Sequence, residues 1–315
     1  NVATGPEGDA NARELAERVG DALGCAPDDV LVASTGVIGR QYPMERIRDH
    51  LEGISLPLSE QDAVAVASAI MTTDTHPKIA SAKLPTSDGN TANIVGIAKG
   101  VGMIEPDMAT MLAFILTDAE VPLMELRRSF DGAVQRSFNS LSIDTDTSTS
   151  DTAAVLASGG AGSVDIREFE LALQAVCIEL ARQLAADGEG ATKLLVVTVS
   201  GARDDHQARR VAKAVVNSPL VKTAVHGADP NWGRVALAVG KCSDDTDIDQ
   251  SSTRITFGNI EVYPLKSADL GTLEEYLAGE EIHIGVDLGI ADASWTVFGC
   301  DLSDGYVRIN ADYTT

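Results

Sequence analysis

Aromatic side chains are scarce, at 4% of 315 residues. The core must therefore be built mainly from Ala, Val, Leu and Ile. Basic residues are also few: 24 Lys and Arg stand against 47 Asp and Glu, a formal net charge of −23. A surface this acidic repels phosphate backbones, which argues against nucleic acid and anionic membranes as partners. It leaves room for a local cationic pocket inside an acidic shell. No apolar run reaches ~18 residues, so no transmembrane helix is expected, and no secretory signal is visible. The four cysteines, Cys25, Cys177, Cys242 and Cys300, show no CxxC spacing. That predicts buried free thiols in a reducing cytosol, hence a cytoplasmic protein. The five histidines form no HxxxH or HExxH pair, so no metal site is expected. The chain also lacks an initial Met. It starts abruptly with Asn1-Val-Ala-Thr-Gly, like the middle of a sequence, and an upstream segment is expected.

What is present is 44% apolar residue content, enough for a sizeable core in one large domain or two ordinary ones. Asp9 is placed to cap a helix with Leu15, Val19 and Leu23 on one face, ended by Gly24. Val30 to Ala33 read as a short buried strand running into a glycine-rich turn. Met44, Ile47 and Leu51 mark a second helix, and Ser59 opens a third. Ile94 to Ala98 and Met111 to Leu116 read as strands. Leu123, Leu126, Phe130, Val134, Phe138 and Leu141 predict one long amphipathic helix, and Ile166 to Leu184 another. From Lys193 the pattern restarts with a strand over 194–199, a helix over 204–216 and a strand over 235–239. Several more strands follow. Strands and helices alternate, so the class is α/β or α+β. A soft boundary near Gly190 divides 1–190 from a smaller domain over 191–315.

Several segments could carry chemistry. Lys99-Gly-Val-Gly-Met-Ile-Glu-Pro-Asp-Met-Ala109-Thr110 is an irregular run ending at the mouth of a strand. A threonine alone is a poor nucleophile. Cutting the Ala109–Thr110 bond would free an α-amine with pKa near ~7.7–8.0, suited to act as a base for the hydroxyl on the same residue. Taken by residue type alone, an ordinary glycine-rich loop explains the run as well. Ser34-Thr35-Gly36 follows the first strand. A hydroxyl and a backbone N–H in such a turn could face a developing oxyanion, or form a plain strand-to-helix turn. The run 142–152 is dense in Asp, Ser and Thr. It fails as a calcium loop, with Thr149 and Val155 where glycine and glutamate belong. It also lacks the lysine partner of an aspartyl-phosphate site. A polar network lining a site, or a solvated loop, remains. Glu189, among glycines in 187–193, could meet a substrate amine or sit in a helix-ending turn. His226 to Arg234 reads as a packed structural turn. A lone His226 or His76 is read as a hydrogen-bonded structural residue.

Together these segments resemble the ornithine acetyltransferase (bifunctional glutamate N-acetyltransferase) family. The resemblance rests on STGVIGR at 34–40, MTTDTHPK at 71–78, KGVGMIEPDMATML at 99–112 and SIDTDTSTSDT at 142–152. It continues through DGEGATK at 187–193, VNSPLVKTAVHGADPNWGR at 216–234 and NADYTT at 310–315. Seven matches in order are far more specific than any one. The resemblance implies self-cleavage between Ala109 and Thr110, giving an α chain 1–109 and a β chain 110–315. It implies a ping-pong transfer of acetyl from N-acetylornithine to glutamate through Thr110. Thr35 and Gly36 match the oxyanion-hole pair. Thr73 (with Thr72 and Thr75 beside it), Lys99, Thr110, Glu189, Asn310 and Thr315 match substrate-binding positions. The implied fold is a layered α/β/β/α sandwich with a smaller C-terminal α/β domain, assembled as an α2β2 heterotetramer. Family members carry several further strands before the position of Asn1. No metal or cofactor is implied, and acetyl-CoA stands as an alternative acetyl donor.

Charge chemistry agrees with the carry-over. Lys99 can pair with a substrate carboxylate and Glu189 with an ammonium. Two rivals remain at this point: a related Thr-nucleophile amidohydrolase or aminopeptidase, which releases the same acyl group to water, and a truncated, non-catalytic fragment.

Overall fold

The computed structural model describes residues 2–54, 63–104, 111–147, 149–264 and 269–312. Helix α1 (Gly5–Leu23) starts before Asp9, with Pro6 in its first turn, and ends at Gly24 as expected. Residues 30–33 join no sheet, and Leu31 is 71% exposed. Four apolar residues satisfied the strand pattern, but among the described residues no neighbouring strand pairs with them. Helices α2 (Met44–Glu52) and α3 (Ala63–Ala69) follow. Ser59 lies outside the described residues.

The first sheet contains β1 (Lys78–Pro85), β2 (Thr91–Lys99), β3 (Leu112–Glu120) and β4 (Thr152–Ser163), in that spatial order. β1, β2 and β3 pair antiparallel, and β4 joins β3 in parallel. A parallel neighbour needs a crossover, supplied by α4 (Leu123–Arg136). The helix expected to reach Leu141 stops at Arg136. Phe138 to Ser140 turn as a short 3₁₀ helix, so Phe138 and Leu141 enter the core from a different backbone. The next helix, α5 (Ile166–Ala186), matches its pattern. Asp165 caps it by accepting from the Glu168 N–H at 2.9 Å. Phe169, Leu173, Val176, Leu180 and Leu184 are all buried against the sheet.

The second sheet contains β5 (Leu194–Ala202), β6 (Arg254–Phe257), β7 (Ile260–Tyr263), β8 (Glu281–Asp287) and β9 (Ala293–Cys300). Its order is β7-β6-β8-β5-β9. Helices α6 (Asp205–Val216), α7 (Pro219–His226), α8 (Trp232–Gly240), α9 (Leu270–Leu277) and α10 (Asp304–Asp312) complete the described chain. The expected strand at 235–239 is helical and belongs to α8. A five-residue apolar run cannot separate the two periods. Val235, Ala238 and Val239, spaced by three and four, bury one helical face. Strand β5 joins the two halves. Leu194 and Val196 enter the core of the first sheet, while Leu195, Val197 and Val199 enter that of the second. Alternate side chains of one strand thus serve two cores. Cys177, Cys242 and Cys300 are buried free thiols, but Cys25 is exposed, contrary to expectation. It lies in the turn just past α1.

Candidate active site

The end of β2 is built on buried charge. Lys99, the last residue of the strand, is 2% exposed. Its Nζ donates to Thr72 Oγ1 at 2.7 Å and lies 3.8 Å from Asp74 Oδ2. Burial pulls the Lys99 pKa down, and the Asp74 carboxylate acts against that pull. Asp74 accepts from the N–H groups of Gly100 (2.8 Å) and Thr72 (3.1 Å) and from Lys78 Nζ (2.8 Å). Burial raises its pKa, but these donors outweigh burial and hold it below the ordinary range. Lys78 is fully buried and bridges Asp74 to Asp187. Asp187 in turn accepts from the N–H of Thr75 at 2.9 Å and from its hydroxyl. Asp74, Lys78 and Asp187 lie inside the motifs 71–78 and 187–193, yet sequence reasoning gave them no role. Lys78 and Asp187 are 109 residues apart, a pairing that no local pattern encodes.

The loop after α5 forms one wall. Glu189 is held twice: Oε1 accepts from Thr73 Oγ1 at 3.0 Å and Oε2 from Asn310 Nδ2 at 2.9 Å. Its own N–H donates to the Val101 carbonyl at 2.7 Å. Gly102 leaves the space Glu189 needs, since a Cβ there would lie 2.5 Å from the carboxylate. Gly190 has φ of 71° and packs against the start of α10, where a Cβ would come within 2.2 Å of the Tyr306 nitrogen. The Ser303 hydroxyl donates to the Gly190 carbonyl. These contacts carry α10, and Asn310 on it, back to the site. Below the loop, Asp301 accepts from the N–H groups of Thr192 (2.8 Å) and Lys193 (3.0 Å), and pairs with His226 Nδ1 at 2.7 Å. His226 is thus the hydrogen-bonded structural residue its sequence suggested.

The hydroxyl-rich run 142–152 forms the opposite wall, and two of its acids anchor backbone. Asp144 accepts from the N–H groups of Met103 at 2.6 Å and Ile104 at 2.8 Å. Asp151 accepts from the N–H of Met111 at 2.7 Å. These bonds fix the chain on both sides of residues 105–110. Their partners are about forty residues away, which is why the sequence could suggest a polar network but not its acceptors. Tyr306 also reaches Asp144, at 3.4 Å. Burial, with the nearby Asp144 charge, pushes the Tyr306 hydroxyl up to about 12.

The cleft between these walls encloses about 320 Å³. Thr35, Gly36, Thr73, Lys99, Glu189 and Asn310 all line it. Six expected site residues from five separate segments therefore meet in one cavity. Thr72 also faces the cleft, whereas Thr75 turns to Asp187. Ala109, Thr110 and Thr315 lie outside the described residues. Among the described residues no cluster of His, Cys, Asp or Glu could hold a metal ion, and no helix is long and apolar enough to cross a membrane.

Comparison with known proteins decides the relationship. The ArgJ family matches the chain over residues 1–315. The chain belongs to the ArgJ family. Glutamate N-acetyltransferase Oat2 of Streptomyces clavuligerus is 58% identical, the match covering all of this chain and 81% of that protein. The arginine biosynthesis bifunctional protein ArgJ of Rhodococcoides fascians is 57% identical over all of this chain and 78% of its own. The crystal structure of the ArgJ protein from Bacillus halodurans superposes with a TM-score of 0.60 at 38% identity. It covers 64% of this chain and 98% of that one. The two-sheet α+β fold described above is an ArgJ fold, and this ArgJ-family chain is an acyltransferase.

Proposed function

We propose that this chain cuts itself between Ala109 and Thr110 and then moves an acetyl group from N-acetylornithine to glutamate through an ester on Thr110. The observation that carries this reading is the convergence of Thr35, Gly36, Thr73, Lys99, Glu189 and Asn310 on one cleft. That cleft also takes in Val101, Gly102 and Met103, which lead into the segment ending at Thr110. In the cut, Thr110 Oγ attacks the Ala109 carbonyl carbon and the C–N bond breaks. The hydroxyl proton ends on the departing nitrogen, and water then hydrolyses the ester. The freed amine becomes the base for the same hydroxyl.

Transfer uses the same atoms. The amine takes the Thr110 hydroxyl proton as Oγ attacks the acetyl carbonyl of N-acetylornithine. The Thr35 hydroxyl and Gly36 N–H face the oxygen that becomes negative. Lys99 pairs with a substrate carboxylate, and Glu189, held by Thr73 and Asn310, meets an ammonium. Ornithine leaves with the proton, and the glutamate amine attacks the ester in the reverse sense.

The sheet supports an assembly in which both fragments stay together. β2 lies before the cut and β3 after it, and they pair from Ile94↔Thr117 to Lys99↔Leu112. Severing the chain between them leaves that ladder intact, with α5 lying over β1 and β2. The match to the Bacillus halodurans chain covers nearly all of it but 64% of this one. Residues 110–315 are about two thirds of the present chain, the size such a cut leaves. Two such α and β pairs would form an α2β2 heterotetramer.

The test is to mix the protein with N-acetylornithine, without glutamate, and weigh the denatured fragments. The reading expects one acetyl mass on the fragment starting at Thr110, lost to glutamate as N-acetylglutamate. Acetate released at the same rate with or without glutamate would instead identify a hydrolase.

A further inference from the structure

The cleft is unevenly charged. Among the described residues that line it, Asp144, Asp146 and Glu189 bring negative charge and Lys99 alone brings positive charge. Under the transfer proposed above, Lys99 takes the carboxylate that N-acetylornithine and glutamate share, and Glu189 meets the ammonium of the ornithine side chain. Glutamate carries a second carboxylate into that same region, where like charges repel. Thr73 and Asn310 do not relieve the repulsion. The Thr73 hydroxyl already donates to Glu189, and the Asn310 amide donates to Glu189 and to the Tyr306 carbonyl.

Tyr306 stands at this end of the cleft. It lines the cavity from α10, one helical turn before Asn310, and residues four apart share a helix face. Its hydroxyl donates to Asp144 Oδ2 at 3.4 Å, a long contact for an O–H donor. Asp144 does not depend on that contact, because the N–H groups of Met103 and Ile104 hold its two oxygens at 2.6 and 2.8 Å. Burial, then the charges of Asp144, Asp146 and Glu189, push the Tyr306 hydroxyl up to about 12, so its proton is present at neutral pH. A hydroxyl proton changes direction by rotation about the C–O bond, and the ring need not move. We propose that Tyr306 is the specificity residue that admits glutamate: its hydroxyl turns from Asp144 to the side-chain carboxylate of glutamate, and turns back when the ornithine side chain fills the cleft. This rests on the transfer proposed above.

One wall then serves two side chains of opposite charge. With ornithine, the Tyr306 proton stays on Asp144 and the acidic cleft favours the ammonium. With glutamate, the same proton makes a charge-assisted hydrogen bond that offsets the repulsion. The alternative is that the Tyr306–Asp144 contact is a tie between α10 and the wall at 142–152. Losing a tie would loosen Asn310, and through it Glu189, and so weaken both substrates alike. Losing a donor weakens glutamate alone.

The test is Tyr306→Phe in the full chain, which keeps the ring and removes the hydroxyl. In a ping-pong reaction kcat/KM for each substrate reports its own half. The value for glutamate should fall at least about tenfold, as for a lost hydrogen bond to a charged group, while that for N-acetylornithine stays within about twofold. An unchanged value for glutamate overturns the proposal, and so does an equal fall for both substrates. Should the variant turn over too slowly, titration calorimetry with ornithine and with glutamate reads the same difference as Kd. Ornithine held and glutamate weakened supports the proposal; both held, or both weakened alike, overturns it. The wild type separates this inference from the reading beneath it. A wild type that moves no acetyl group from N-acetylornithine to glutamate removes both. A wild type that does so, with a variant that matches it, removes the Tyr306 assignment alone.

Discussion

Gly102→Ala and Gly190→Ala form a matched pair that separates catalysis from folding. At 102 an added Cβ would lie 2.5 Å from Cδ and Oε2 of Glu189. Those atoms are the end of a flexible side chain, so Glu189 yields and the backbone stays. The move breaks the bonds to Thr73 (3.0 Å) and Asn310 (2.9 Å) that aim the carboxylate. Both lie at the rim of the cleft, where water can replace them, so stability should fall by less than about 1 kcal/mol. Activity should fall much more, because a misplacement of roughly 1 Å at a binding group costs on the order of a hundredfold. At 190 the added Cβ meets backbone, 2.2 Å from the Tyr306 nitrogen and 2.5 Å from the Gly305 carbon. The φ of 71° costs a further ~1–2 kcal/mol for a residue with a side chain. The start of α10 must shift, so Gly190→Ala should lower Tm as well as activity. The assays are kcat/KM for acetyl transfer and Tm by calorimetry on the same preparations. Gly102→Ala with wild-type kcat/KM would refute the argument that Glu189 must sit where it does. Gly102→Ala with a Tm as low as Gly190→Ala would show that Glu189 cannot yield.

Three further expectations follow from the buried charges. Lys78→Ala removes the buried lysine shared by Asp74 and Asp187 and leaves Asp74 only the more distant Lys99, so urea unfolding should show a loss of about 3–5 kcal/mol. An unchanged midpoint would contradict that pairing. Lys99→Met removes a buried charge whose pKa burial depresses; Tm should hold or rise, while KM rises at least about tenfold for both substrates. Burial raises the Asp301 pKa, but Thr192, His226 and Lys193 outweigh it and leave the value below the ordinary carboxylate range. Its stabilising contribution is therefore full above about pH 4 and is lost as pH falls through the lower folded value. Asp301→Asn should cost about 2 kcal/mol at pH 7, and the Tm gap to wild type should close in acid. A gap that widens in acid would reverse the assigned direction.

The site was more legible in the sequence than the elements that carry it. Thr35, Gly36, Thr73, Lys99, Glu189 and Asn310 were named from the motifs that carry the family resemblance, and the structure brings them to one cleft. Helices with a full apolar stripe, such as α5, were also readable, because one helix face supplies its own pattern. Short apolar runs were not. Residues 30–33 and 235–239 both read as strands, and neither is one. β4 was not anticipated at all. Its sequence TAAVLASGGAGS has little strand preference, and its pairing with β3 decides its conformation. The anchors Asp144 and Asp151 and the buried Lys78 bridge escaped notice for a related reason. Their partners are distant in sequence, so their roles exist only once the chain has folded.

On the function proposed for this chain, Thr110 becomes a chain terminus by the chain's own chemistry. That step is read most directly from intact masses under denaturing conditions, comparing wild type with Thr110→Ala. Two wild-type fragments are expected, one ending at Ala109 and one starting at Thr110, and a single uncut chain in the variant. Two fragments in both proteins, or fragments with other ends, would contradict it.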